Sequence, residues 1–105
     1  MNVYTIAKEY AESIMLERQY WSEDDIWDIA SEHADGSEHV IYYSKAHDFV
    51  RAMPSDVESE AVDQCHDCGI MPDSYDDWAV KIAYFALQRL IADAVYELLE
   101  NEEAA

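Results

Sequence analysis

Only four residues in this chain break helices strongly: Gly36, Gly69, Pro54 and Pro72. Between them, apolar residues recur at spacings of three and four, the period of a helix that buries one face. From Val3 to about Gln19 the positions Tyr4, Ala7, Ala11, Ile14 and Met15 follow that spacing. Ser22 before Glu23-Asp24-Asp25 reads as an N-cap with acids in the first turn; Ile26, Ile29 and Ala30 then form one face, and Asp35-Gly36 stops a short second helix. Ser37 caps a third helix, from about Glu38 to Met53, with Val40, Tyr43, Phe49, Val50 and Met53 as its apolar positions and Pro54 as its stop. The run Val40-Ile41-Tyr42-Tyr43 also has the look of a strand, but no second such run exists to pair with it, so helix is preferred. Ser55 opens a weaker acidic helix to about Gln64, and Cys65 to Pro72 reads as a loop. Ser74 and Asp77 form a capping-box-like pair for a long last helix, about Tyr75 to Glu102, with a broad apolar stripe of Trp78, Ile82, Phe85, Ile91, Val95 and Leu98.

The expected fold is therefore all-α, a compact acidic domain of four to five helices with a long C-terminal helix. At 105 residues, half of them apolar, residues 1–105 suit a single core and a single domain. Neither a repeat nor a long linker interrupts the pattern. The start Met1-Asn2-Val3-Tyr4 lacks a basic n-region, and no apolar run approaches the roughly 20 residues of a membrane span. Cys65 and Cys68 are the only cysteines, too few and too close to staple a secreted fold. A soluble, unprocessed protein of a reducing cytoplasm is expected.

Charge narrows the function classes. The chain holds 24 Asp plus Glu against 6 Lys plus Arg, a formal net charge of −18, where a magnitude of about 2 to 8 suffices to keep a small domain soluble. Disordered acidic chains are poor in aromatics, whereas this one has 3 Trp, 8 Tyr and 2 Phe. It should fold, against considerable self-repulsion. A compact chain of this length is roughly 33 Å across, and B-DNA carries about 20 phosphates over that distance. Halophilic adaptation would give a similar total, so the match makes DNA mimicry quantitatively feasible without placing any carboxylate. The same charge argues against direct binding of nucleic acid, and no membrane partner is expected.

Local motifs offer little chemistry. Cys65-His66-Asp67-Cys68 has the spacing of a zinc half-site or a redox pair, and His33, His39 or His47 are the available further ligands for a metal. There is no second Cys-x-x-Cys and no histidine pair at ligand spacing, and the nearby acids Asp63, Asp67 and Asp73 raise thiol pKa values. Structural cysteines are the preferred reading, with no metal and no cofactor. Acidic pairs such as Asp24-Asp25 and Asp76-Asp77 are expected from composition alone, and no calcium-loop pattern surrounds them. With scattered histidines, no serine elbow and no phosphate loop, no catalytic residues are assigned and an enzyme is the least favoured class. Trp78, Tyr84, Phe85, Met53 and Met71 read as core or dimer-seam residues.

The segment Asp67-Cys68-Gly69-Ile70-Met71-Pro72-Asp73-Ser74, followed at once by a long acidic amphipathic helix, resembles the Ocr-like phage antirestriction proteins, as does Tyr42-Tyr43 followed by Ser44-Lys45-Ala46-His47-Asp48-Phe49-Val50. The resemblance runs from about Asp24 to the C-terminus, with short gaps. It implies an all-α homodimer in the bacterial host cytoplasm whose carboxylates imitate the phosphates of bent B-DNA. Such a protein occupies the DNA channel of type I restriction-modification enzymes and blocks them, with other DNA-engaging defence systems as further targets. Here the acidic tail is reduced to Asn101-Glu102-Glu103-Ala104-Ala105, and the Cys-His-Asp-Cys run has no counterpart.

The acids expected to stand for phosphates are dispersed along helix faces: Glu9, Glu12, Glu17, Glu23, Asp24, Asp25, Asp28, Glu32, Asp48, Asp56, Glu58, Glu60, Asp63, Asp76, Asp77, Asp93, Glu97 and Glu100. DNA-binding enzymes draw much of their affinity from phosphate contacts that read no sequence, so a rigid surface of similar charge competes whatever the recognition site. Two other readings stay open. One is a small acidic adaptor or antitoxin-like module that binds one basic protein through an aromatic hot spot; the other is a zinc-dependent regulatory domain built on Cys65 and Cys68.

Overall fold

The computed structural model describes residues 1–70 and 74–104, with side chains to residue 102. Among the described residues the chain forms six α-helices and no strand: α1 Val3–Leu16, α2 Ile26–Asp35, α3 Glu38–Ile41, α4 Tyr43–Ala52, α5 Ser55–Asp67 and α6 Tyr75–Ala104. The all-α expectation holds, and α6 is the long last helix. Its 30 residues, at about 1.5 Å each, span ~45 Å, which equals the longest dimension of the molecule, 45 × 28 × 23 Å.

Helix α6 is the axis on which α1, α2, α3, α4 and α5 all pack. An apolar stripe suffices for a helix that lies on a core, but a helix inside one needs apolar residues nearly all round. The sequence pattern picked out a stripe; the structure buries Ala79, Ile82, Ala83, Phe85, Ala86, Leu87, Leu90, Ile91, Ala92, Val95 and Leu99. Trp78 and Leu98, expected on the buried stripe, are only partly covered. Alanine pairs one turn apart, Ala7 with Ala11 on α1 and Ala30 with Ala34 on α2, are fully buried and let these helices approach α6 closely.

Local chemistry explains where the elements stop. Asn2 caps α1, its Oδ1 accepting from the amides of Tyr4 (3.0 Å) and Thr5 (3.2 Å). The helix ends at Leu16 rather than near Gln19 because the Trp21 indole donates to the Ile14 carbonyl at 2.9 Å and Arg18 donates to the Trp21 carbonyl at 2.9 Å while lying 4.6 Å over its ring. The chain then makes a 3₁₀ turn over Arg18–Tyr20. At Ser22 the expected cap is present, with its amide donating to Asp25 Oδ2 at 2.9 Å, although Glu23–Asp25 is a 3₁₀ turn and α2 proper starts at Ile26.

The third predicted helix is two. Tyr42 is extended (φ −99°, ψ 123°) and separates α3 from α4. In one unbroken helix Val40 and Phe49, nine residues apart, would lie about 180° apart around the axis, so they would not share a core. The break turns α4 so that Val40, Ala46, Phe49 and Met53 are all buried, and it leaves Ile41, Tyr42 and Tyr43 more than half exposed. Tyr43 and, on α1, Tyr4, both expected on apolar faces, are surface residues.

Helix α5 runs three residues past the expected Gln64, through Asp67. Gly69 (φ 70°) ends it in a Schellman closure: its amide donates to the His66 carbonyl at 3.0 Å, and the Ile70 amide to the Cys65 carbonyl at 3.0 Å. Cys65 is thus a helix residue, not part of a loop. Met71, Pro72 and Asp73, the centre of the turn expected before α6, lie outside the described residues. The Ser74 cap is made, with Ser74 Oγ accepting from the Asp77 amide at 3.1 Å.

Candidate interaction surface

Helical geometry distributes the carboxylates in a regular way. Residues separated by four and seven positions lie within about 60° of one another around a helix, and three helices carry acids at that spacing on their solvent faces. They are Asp28, Glu32 and Asp35 on α2, Asp56, Glu60, Asp63 and Asp67 on α5, and Asp93, Glu97 and Glu100 on α6, all exposed. Each stripe places a carboxylate about every 5 Å along its helix, compared with a phosphate every 3.4 Å along one DNA strand.

The remaining predicted acids are distributed as follows. Glu9, Glu12 and Glu17 are exposed on and just beyond α1; Glu23, Asp24 and Asp25 are exposed in the turn before α2; Asp48 is exposed on α4 and Asp76 at the start of α6. Glu58 and Asp77 are half-buried. Several have structural partners. Asp25 belongs to the cap at Ser22, Asp48 pairs with Arg51 at 3.5 Å, and Asp76 Oδ1 meets His47 Nε2 at 2.6 Å. The acids at helix starts, Asp56, Glu58, Asp76 and Asp77, also complement the helix dipoles.

Two stripes meet. Arg89 on α6 lies between Asp93 of its own helix (3.4 Å) and Glu60 of α5 (3.9 Å), so the α5 and α6 stripes adjoin across a single guanidinium. Glu60 and Asp93 belong to the expected set but their junction does not, and Asp35 and Asp67, which complete the α2 and α5 stripes, lie outside that set. Extending the helical period by one turn would have found both.

Glu38, also outside the predicted set, faces Lys45 across the α3–α4 break at 2.6 Å. The hydrogen bond and charge of Lys45 hold its carboxyl below the usual range. No protein-family profile matches the chain, and comparisons with curated proteins and with solved structures likewise found no match. The surface itself is therefore the basis for a functional reading.

The Cys-x-x-Cys pair is split by the helix end. Cys65 is buried in the core on α5, where burial, and then the neighbouring Cys68, push its thiol above the usual value; Cys68 is exposed at the cap. Among the described residues no group of three or more His, Cys, Asp or Glu is placed to hold a metal ion. Each histidine instead lies beside an aromatic ring: His33 by Tyr10, His39 by Phe49, His47 by Tyr75 and His66 by Trp78. No helix among the described residues is long and apolar enough to cross a membrane.

Proposed function

We propose that this protein is a phage-type antirestriction DNA mimic that blocks the DNA-binding channel of type I restriction-modification enzymes, acting without chemistry of its own. The observation that carries the reading is the set of exposed acidic stripes on α2, α5 and α6, of which the latter two adjoin at Arg89. The target class comes from the resemblance of Tyr42–Val50 and Asp67–Ser74 to antirestriction proteins, which also implies a homodimer in the host cytoplasm.

The mechanism is competition for cations. An enzyme that embraces DNA presents Lys and Arg to phosphates, and their binding strength falls as salt rises. The stripes offer those side chains carboxylates on rigid helices, so no duplex has to be bent, a step that costs DNA about 1–6 kcal/mol in sites that demand it. Because phosphate contacts carry no sequence information, inhibition is indifferent to the recognition sequence of the enzyme.

A second reading, an acidic adaptor that binds one basic protein, draws on the exposed run Ile41, Tyr42 and Tyr43, since exposed aromatics concentrate binding energy at interfaces. One titration separates the two. Purified protein is added to a type I restriction enzyme bound to labelled DNA, at low and at high salt. Near-stoichiometric displacement that weakens with salt and does not depend on recognition sequence supports mimicry; no displacement from enzymes of differing specificity rejects it. A partner retained at high salt and lost on Tyr42→Ala with Tyr43→Ala identifies the adaptor.

A further inference from the structure

We propose that the exposed side of α4 is the seam between two copies of this chain, with the two α4 helices packed antiparallel about a two-fold axis. The inference rests on the proposed function only for the expectation of a homodimer, to which it gives a face. Charge selects that face. A chain of net charge −18 repels its own copy, so two copies meet most easily where the local charge is balanced. Among the described helices only α4 has more Lys and Arg than acids, with Lys45 and Arg51 against Asp48, whereas α2 carries three acids and α5 five with no Lys or Arg on either. The carboxylates beside α4 are also engaged within the chain. Glu38 meets Lys45 at 2.6 Å, Asp48 meets Arg51 at 3.5 Å and Asp76 meets His47 at 2.6 Å. Among the described residues no acid of α2, and of α5 only Glu60, lies in an ion pair.

The same side of the molecule holds apolar surface in solvent. Ile41, Tyr42 and Tyr43 are more than half exposed, and Tyr75 is 72% exposed. Tyr43 stands one turn before His47, and Tyr75 stacks on His47 with ring centres 4.9 Å apart, which builds one flank of α4. Lys45, 5.9 Å from the centre of the Tyr42 ring, builds the other. Between the flanks, opposite the buried Ala46, Phe49 and Met53, the helix shows Ser44, Asp48, Arg51 and Ala52 to solvent. At roughly 150–250 Å² for a whole aromatic side chain, the exposed parts of the three tyrosines present on the order of 300–450 Å². That is about half of the roughly 800 Å² each partner gives to a standard interface.

A basic protein is a poor occupant for the one cation-rich helix of the molecule. A second copy is a good one, because the face complements itself. In a two-fold contact residue i meets residue j and j meets i, so antiparallel α4 helices set Asp48 against the copy's Arg51 and Arg51 against the copy's Asp48. One contact thus makes two charge pairs, and the small side chains of Ser44 and Ala52 let the helices approach. Asp48, one of the acids expected to stand for a phosphate, then belongs to the seam.

The test exchanges the charges and reads mass by sedimentation at one fixed salt concentration. Asp48 and Arg51 have side chains 59% and 74% exposed, so Asp48→Arg and Arg51→Asp leave the core intact, which circular dichroism checks. Wild type should be a dimer. Each variant alone sets like charges against each other twice, and its dimer should dissociate at least about tenfold more readily. Mixed in equal amounts, the two variants should form a dimer again, because one then carries both acids and the other both cations. Lys8→Asp, which changes the net charge as Arg51→Asp does but lies exposed on α1, should stay dimeric. A monomeric wild type, a dimer indifferent to both exchanges, variants that stay apart on mixing, or equal loss in Lys8→Asp overturns the proposal. A monomeric wild type that holds a basic protein through Tyr42 and Tyr43 gives the face to the adaptor and overturns it as well. Displacement of DNA from a restriction enzyme by a monomeric wild type removes the seam alone; a dimer broken and restored by the exchanges, without displacement, removes the choice of target and leaves the seam.

Discussion

The Tyr10 hydroxyl on α1 donates to the Oγ of Ser37 at 2.9 Å, joining two elements that are 27 residues apart in sequence. Ser37 is buried, and the same oxygen accepts from the His39 amide at 3.2 Å to cap α3. A single hydroxyl therefore starts a helix and anchors it to the N-terminal helix. Tyr10→Phe removes one of these bonds while Ser37 keeps the other, and is expected to cost about 1 kcal/mol. Ser37→Ala removes the cap as well and strands the tyrosine hydroxyl, for roughly 2 kcal/mol. Urea denaturation of the two variants checks the order; equal stability of Tyr10→Phe and wild type would show that the bond contributes nothing.

Gly69 isolates a backbone effect. With φ at 70° and no heavy atom within 4 Å of where a Cβ would sit, Gly69→Ala meets no obstruction and is penalised only by the left-handed conformation. The expected loss is about 1 kcal/mol, and Gly69→Asn should lose less because asparagine tolerates that region. At about 4–8 °C per kcal/mol for a domain near this size, thermal melting resolves both. An alanine variant as stable as wild type would mean that the α5 closure opens without cost.

Helix content was legible in the sequence because it depends on local period and local breakers, and glycine or proline stands near most of the interruptions. The break at Tyr42 was not legible, because no breaker occurs there; it arises from the need to turn Val40 and Phe49 toward one core, a demand set by α6. The end of α1 was hidden for a related reason, since the Trp21 indole acts from beyond the helix. Central placement of α6 could have been read from its alanines, Ala79, Ala83, Ala86 and Ala92, which widen the apolar stripe to most of the circumference. At the surface, acid positions could be read individually. That the α5 and α6 stripes touch could not, because Glu60 and Asp93 are brought together only by helix packing.

The two cysteines should differ sharply in reactivity. Native protein at neutral pH is expected to alkylate one thiol per chain, Cys68, and to expose Cys65 only on unfolding. Burial raises the Cys65 pKa in the folded state above its ordinary 9.0. The folded form therefore holds this proton more tightly than the unfolded form, so its contribution to stability is complete below pH 9 and is lost as pH rises from there through the folded value. Glu38 has the opposite sign: Lys45 lowers its pKa from 4.5, so its contribution is complete above about pH 4.5 and fades as pH falls through the lowered value. Lys45→Met should flatten the acid limb, and Cys65→Ala, though less stable overall, the alkaline limb, of a stability profile measured between pH 3 and 11. Two thiols alkylated at equal rates in native protein would contradict the buried position of Cys65.

Distributed recognition has a quantitative signature. An exposed charge contact is worth about 0.2–1 kcal/mol, so neutralising Asp63 alone should change the inhibitory concentration by no more than about fivefold. Neutralising the adjoining set Asp56, Glu60, Asp63, Asp67, Asp93 and Glu97 to the corresponding amides removes six such contacts, together about 1–6 kcal/mol. That loss should largely abolish displacement of DNA from its enzyme. The same six changes lower self-repulsion but also remove both partners of Arg89 and the acid Asp56 from the first turn of α5, so thermal melting of the variant accompanies the displacement assay, and the loss counts only where the variant is folded at the assay temperature. If instead Asp63→Asn alone removes all inhibition from a folded protein, recognition is focused on one contact and mimicry by distributed charge is the wrong mechanism.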